Sequence, residues 1–195
     1  IVDEWGNWYD CMPGTNPGFL YQQNTMRDAV TGMVILHMFH QHCDRIQMAN
    51  IAQMINVLQA MILTEGDKIV LTPTYHLFRM MKGHQNGESV DVDYDSKSYE
   101  ADGENIPSIS ISASVKDGAL TITAANTRLD RDEELVITLD KEYTSSQAQL
   151  LTADNMCDFN SFEEPSKVAP VSLKTELNGN KLTVKLPKMS VIAIT

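Results

Sequence analysis

The chain has 195 residues, 43% of them hydrophobic, and carries a formal net charge of -11 at neutral pH. That length supports a real core, either as one large domain or as a small domain plus part of another. The negative balance argues against a nucleic-acid partner or an anionic membrane surface, because both need a basic face. The longest apolar stretch, Met33 to Phe39, is too short to cross a bilayer and is broken by His37. Cys11, Cys43 and Cys157 are too few and too scattered for a disulfide framework, so free thiols are expected, with a single bridge as the alternative. No charged leader and cleavage site are visible at the start, which leaves the compartment open between cytoplasmic and secreted or periplasmic. Ile1-Val2 reads instead as the end of a buried strand.

In chain order, Ile1-Val2 runs into Asp3-Glu4-Trp5, and residues 10–18, with two Pro and two Gly, form a loop. Met26, Val30, Met33, Val34 and His37 recur at helical spacing and predict a helix over about Asn24 to Gln41. Asp44 to Ala49 reads as a short strand. Ile51, Met54, Ile55, Leu58, Met61 and Ile62 predict a second helix from Ile51 to Leu63. Pro73 suits the first turn of a third helix through Lys82. Two strands and three helices cannot close an α/β sheet or barrel. The first part therefore needs partners outside this sequence, in the rest of a longer polypeptide or in another chain, including a second copy. An exposed apolar patch is expected there, with Val30, Met33, Ile55 and Leu58 prominent.

The composition changes near residue 87. Residues 1–87 hold all five histidines and nine of eleven methionines, with seven acidic and five basic residues. Residues 88–195 hold 19 acidic and 10 basic residues. This second part reads as antiparallel β. Ile109, Ile111 and Ala113 alternate with Ser108, Ser110, Ser112 and Ser114, and Lys116-Asp117-Gly118 turns the chain into Ala119–Thr123. Glu134–Leu139 is another strand. Leu177-Asn178-Gly179-Asn180 is a second turn, between Val171–Thr175 and Lys181–Leu186, and Val191–Ile194 closes the span. Such runs between turns imply a β-sandwich. The expected fold is thus an α+β chain in two parts: residues 1–87 as an incomplete α/β unit, and 88–195 as an antiparallel β-sandwich.

A carboxylate just past a buried strand, as in Asp3-Glu4-Trp5, would stand on the catalytic face of a β/α barrel. Glycoside hydrolysis needs two carboxyl groups, and in a retaining enzyme they lie about 5 Å apart, one as nucleophile and one as acid. Trp5, Trp8 and Tyr9 offer aromatic faces for a sugar ring. Read alone, the three residues fit a solvated strand-to-loop turn better than a catalytic site.

The longer segment Asp3-Glu4-Trp5-Gly6-Asn7-Trp8-Tyr9 resembles the nucleophile motif of glycoside hydrolase family 51, the α-L-arabinofuranosidases. Leu20 to Ala29, His42 to Gln53, Ile55 to Ala60 and Leu71 to His76 continue the resemblance. Beyond about residue 85 it is one of architecture, and it implies that residues 1–87 are the C-terminal fragment of a catalytic (β/α)8 barrel, followed by the β-sandwich of residues 88–195. The resemblance implies Glu4 as the catalytic nucleophile, Gln53 as a hydrogen-bonding contact to bound arabinose, and Trp8 as an aromatic residue lining the sugar site. Asp3, Asn50 and Asn56 would be supports. It implies no cofactor and no metal, and an arabinose-containing polysaccharide or oligosaccharide as substrate. The family's Gly-Asn-Glu acid/base motif is not found in this span, so half of the catalytic pair and the missing N-terminal barrel portion would come from elsewhere. Without them this chain alone should not turn over.

Other clusters read blandly. His37, His40 and His42 beside Cys43 do not share one helix face, and exposed imidazoles at a helix end are favoured over a metal set. Met48, Met54, Met61, Met80 and Met81 read as core filling. Asp91, Asp93 and Asp95 read as a polar strand face and lack the pattern of a helix-loop-helix calcium loop. Asp130 to Glu134 reads as a solvated turn. Two other functions stay open: a sugar-binding or structural sandwich with a barrel remnant, and a hydrolase of endoglucanase type.

Overall fold

In the computed structural model, which describes every residue except Gln59, β1 (Val2–Trp5) is followed by a long loop and α1 (Met26–Gln41). The helix starts two residues later than the spacing predicts, because Thr25 caps it. The Thr25 N–H donates to Asp28 Oδ2 at 2.8 Å, turning the first-turn carboxylate back onto the cap. The first free N–H groups, of Met26 and Arg27, donate to the carbonyls of Asp158 and Met156, far along the chain.

β2 (Ala49–Ile51) pairs in parallel with β1, Val2 opposite Ala49 and Trp5 opposite Ile51. The strand expected over Asp44–Ala49 thus begins only at Ala49. The second helix, expected over Ile51–Leu63, does not form. Asn56 exchanges side-chain bonds with Thr64, Nδ2 to Oγ1 at 2.9 Å and Thr64 N to Oδ1 at 2.8 Å, which draws the backbone away from a helix. Asn56 and Leu58 both take left-handed backbone angles (φ 57° and 47°) that a helix cannot contain. Gln59, within that span, lies outside the described residues. The run instead ends in a hairpin of β3 (Ile62–Glu65) and β4 (Lys68–Leu71). α2 (Pro73–Met81) follows as expected, with Thr72 Oγ1 accepting from Tyr75 N at 3.4 Å and Pro73 in the first turn. It packs tightly on α1: a Cβ on Gly32 would lie 2.5 Å from Leu77 Cδ2.

The remainder is antiparallel. After β5 (Glu88–Val90) and the ribbon β6 (Ser98–Ala101) and β7 (Glu104–Pro107) come the long strands β8 (Ile109–Lys116) and β9 (Ala119–Asn126). They are followed by β10 (Glu133–Thr138), β11 (Ala148–Thr152), β12 (Val171–Leu173), β13 (Glu176–Asn178), β14 (Lys181–Leu186) and β15 (Ser190–Ile194). A six-stranded sheet in the order β12-β11-β15-β9-β8-β5 faces a three-stranded sheet in the order β10-β14-β13. The β8–β9 turn forms at Asp117-Gly118, both with positive φ (51° and 81°), which suits the right-handed twist of the flanking strands. Val171–Thr175 does not form one arm of the later hairpin. Val171–Leu173 joins β11 in the large sheet, and Glu176–Asn178 pairs with β14.

Strand alternation divides the large sheet into two buried faces. Ile109, Ile111, Ile122, Leu150 and Ile192 meet Leu182, Val184 and Leu186 of the small sheet. The opposite face, with Ala125, Leu151, Val191 and Ala193, packs on Met26, Val30 and Met33 of α1 and Leu77 and Met80 of α2. The helices and the sandwich therefore share one core. Val30 and Met33 are buried in it, contrary to the expected patch, and Leu58 is buried too. Ile55 is exposed as expected, and the other exposed large apolar residues of the first part include Ile1, Trp8, Phe19, Met38, Met48, Met54 and Ile69. Met48 and Met54 accordingly depart from the expected core role, while Met80 and Met81 fill it. The segment between β11 and β12 ties the layers together. Buried Asn160 donates to the carbonyls of Leu71 and Val168, both at 2.8 Å, and accepts from Val168 N at 2.7 Å.

Candidate functional site

Parallel pairing of β1 and β2 brings their C-terminal ends to one edge, where ligands of α/β folds bind. Glu4 is the penultimate residue of β1, and Gln53 lies two residues past the end of β2, joined to β1 by Ala52 N donating to Trp5 O at 2.9 Å. The Ala52–Gln53 peptide is cis. Asp3, Glu4, Gln53 and Trp8 are all exposed, Trp8 at 66%. Trp5 behaves differently: its indole stacks on Phe78 (centroids 6.0 Å) and meets Phe39 edge-on (5.5 Å), which fixes the end of β1 against both helices. Asn56 is held by Thr64 in the loop after β2, and Asn50 is exposed within β2.

The loop after β1 is held by side chains that sequence reasoning passed over. Gln22, only 4% exposed, uses both ends of its amide: Nε2 donates to Asn7 O at 3.1 Å, and Oε1 accepts from Tyr9 N at 2.9 Å. The Asn7 side chain donates to Asp28 Oδ1 at 3.0 Å, and the Arg27 guanidinium sits 3.6 Å from the centroid of the Tyr9 ring. Burial first, and then the Asp28 carboxylate, push the Tyr9 phenol up, while Arg27 opposes them. Asp28 therefore caps α1 with one oxygen and grips the loop with the other.

A second polar cluster joins the two parts. The serines of β8 do not face solvent. His37 Nδ1 lies 2.8 Å from Ser110 Oγ, His40 Nδ1 2.9 Å from Ser112 Oγ, and His84 Nδ1 2.8 Å from Ser114 Oγ. Thr123 Oγ1 of β9 bridges His37 Nε2 at 2.9 Å and His84 Nε2 at 2.8 Å. One hydroxyl has one proton, so at least one of these imidazoles must donate to it. His84 reaches Thr123 because Gly83 lets its turn approach β9: a Cβ there would sit 2.8 Å from Thr121. Burial, followed by the neighbouring imidazoles, pushes His37 down to about 3 and His84 to about 4, and burial lowers His40 as well. His37 is thus a neutral interface residue, not a partly exposed imidazole at a helix end, and His84 is a second neutral residue of the same interface. The signal was present in outline, as histidines three apart on one helix and serines two apart on one strand, but neither period reveals the other's partner. Among the described residues, no group of three or more His, Cys, Asp or Glu is arranged to hold a metal ion. Asp91, Asp93 and Asp95 lie in irregular chain after β5, not on a strand, and rim a cleft of about 750 Å³ between the two sheets.

The arrangement is similar to that of solved glycoside hydrolases. The solved family 51 arabinofuranosidase of Xanthomonas axonopodis pv. citri superposes with a TM-score of 0.95 at 40% identity, over all of this chain and 40% of that one. A family 51 α-L-arabinofuranosidase from Bifidobacterium longum gives a TM-score of 0.85 at 27% identity, over 98% of this chain and 40% of that one. In sequence, the chain is 42% identical over 198 residues to an intracellular exo-α-L-arabinofuranosidase of Bacteroides ovatus, covering all of this chain and 38% of that protein. Residues 3–190 match the family model described as the α-L-arabinofuranosidase C-terminal domain, and the chain belongs to that family. It spans about two fifths of the length of the curated relatives it matches.

Proposed function

We propose that this chain is the C-terminal portion of a retaining α-L-arabinofuranosidase, in which residues 1–87 complete a catalytic barrel and residues 88–195 form the supporting sandwich. Glu4 attacks the anomeric carbon of a terminal α-L-arabinofuranosyl group of a plant polysaccharide, and water then releases arabinose from the covalent intermediate. Gln53 hydrogen-bonds the sugar, and Trp8 packs against its ring. The observation that carries this reading is the placement of Glu4 and Gln53 at the same ends of two paired parallel strands, in a chain of this family. The acid/base carboxyl is supplied by the preceding barrel strands, which would also cover Ile1 and Met54. The alternative of a sugar-binding module needs a platform of exposed aromatics. Among the described residues, 88–195 expose only Tyr94 and Phe159 as large aromatics, at 41% and 38%.

Two successive displacements at one carbon restore its configuration. The intact polypeptide hydrolysing an aryl α-L-arabinofuranoside is therefore expected to release the α anomer first, before mutarotation. Proton NMR during the first minutes reads this directly, and initial release of the β anomer would refute the nucleophile assignment.

A further inference from the structure

The Gln22 amide brackets a single residue. It receives the N–H of Tyr9 on one side of Trp8 and donates to the carbonyl of Asn7 on the other. This is the pair of bonds a neighbouring β-strand would make, supplied here by one buried side chain. Trp8 itself is exposed, so its direction is set by its backbone and not by packing of the indole. Asp28, through the Asn7 side chain, and Arg27, over Tyr9, hold the flanking residues.

We propose that Gln22 is a positioning residue for sugar binding: its amide clamps the main chain on both sides of Trp8 and so fixes the indole that packs on the arabinofuranosyl ring. This rests on the reading of Trp8 as a sugar contact. Gln22 itself touches neither sugar nor Glu4 in this scheme and acts only through the loop.

Gln22→Glu in the intact polypeptide is the informative variant, because it is nearly isosteric. Its carboxylate still accepts from Tyr9 N but has no proton for the Asn7 carbonyl, and two oxygens then oppose each other. Protonation restores the donor, and burial moves that protonation upward from the ordinary glutamate range. The expected result is a KM about tenfold above wild type at neutral pH, the scale of one buried hydrogen bond, with kcat nearly unchanged. That deficit should close as the pH is lowered, relative to wild type at each pH. Gln22→Met, which has no donor, should show the raised KM at every pH. A KM in Gln22→Glu equal to wild type throughout, or a deficit that does not change with pH, overturns the proposal. Trp8→Ala separates the two readings. A raised KM there with an unaffected Gln22→Glu sinks the clamp alone, whereas an unchanged KM in Trp8→Ala sinks the sugar contact and the clamp with it.

Discussion

Glu4→Ala in the intact polypeptide is expected to lower kcat/KM for an aryl α-L-arabinofuranoside by roughly 10⁴-fold or more, the scale of removing a covalent nucleophile. Folding should be nearly untouched. Glu4 is exposed and its neighbour Trp5 makes the packing contacts at the end of β1, so the unfolding free energy should move by no more than about 0.5 kcal/mol. The vacated carboxylate leaves room for a small anion on the attacking face. Azide should therefore restore turnover of a substrate with a good leaving group, through one displacement, and yield the arabinofuranosyl azide of inverted configuration. Activity near wild type, or an azide product of retained configuration, would remove Glu4 from the role.

The second large effect is on stability in acid. His37 and His84 are neutral in the fold, held down to about 3 and about 4 by burial first, and return to about 6.5 on unfolding. A depressed imidazole contributes fully above the unfolded value, and its contribution falls as the pH drops from 6.5 toward the folded value, because only the unfolded chain takes up the proton. The two residues together should cost about 3 kcal/mol between pH 6.5 and pH 5. The hydroxyls of Ser110, Ser114 and Thr123 are their hydrogen-bonding partners, and no carboxylate is among the described contacts to offset the charge. Urea unfolding across this range measures the slope. His37→Leu should lose about 1–3 kcal/mol at neutral pH, since it strands the buried hydroxyl of Ser110 and leaves Thr123 with His84 alone, yet remove about one proton from the slope. An unchanged slope in that variant would place the acid sensitivity elsewhere.

The parts of the fold legible in the sequence were those fixed by local periodicity. Alternation over Ile109–Thr123 and the Asp117-Gly118 turn specified a hairpin, and the helical spacing of Met26, Val30, Met33, Val34 and His37 specified α1. What failed was the stretch from Ile51 to Leu63, where helical spacing competed with the side-chain bonds of Asn56 to Thr64 and lost. The same spacing says nothing about which face is covered. Val30 and Met33 were expected on an open surface because their partners in the sandwich, Ala125, Leu151 and Val191, lie far along the chain and leave no local signal. The serines of β8 illustrate the same limit. Their alternation marked a second face, but only the approach of His37, His40 and His84 makes that face an interface. At the candidate site, Glu4, Gln53 and Trp8 are assigned by the family resemblance, whereas Gln22 and Asp28 lie within the resembling segment Leu20–Ala29 without a role from it, and their part is visible only through their bonds to the loop.

The most direct measurement is to trap the covalent intermediate. A 2-deoxy-2-fluoro arabinofuranosyl substrate with a good leaving group slows formation of the oxocarbenium-like transition state, so the glycosyl-enzyme accumulates. Proteolysis and mass mapping of the inactivated polypeptide should then find one added sugar on the peptide containing Asp3-Glu4-Trp5, at the carboxylate of Glu4. A label on any other residue would contradict the account.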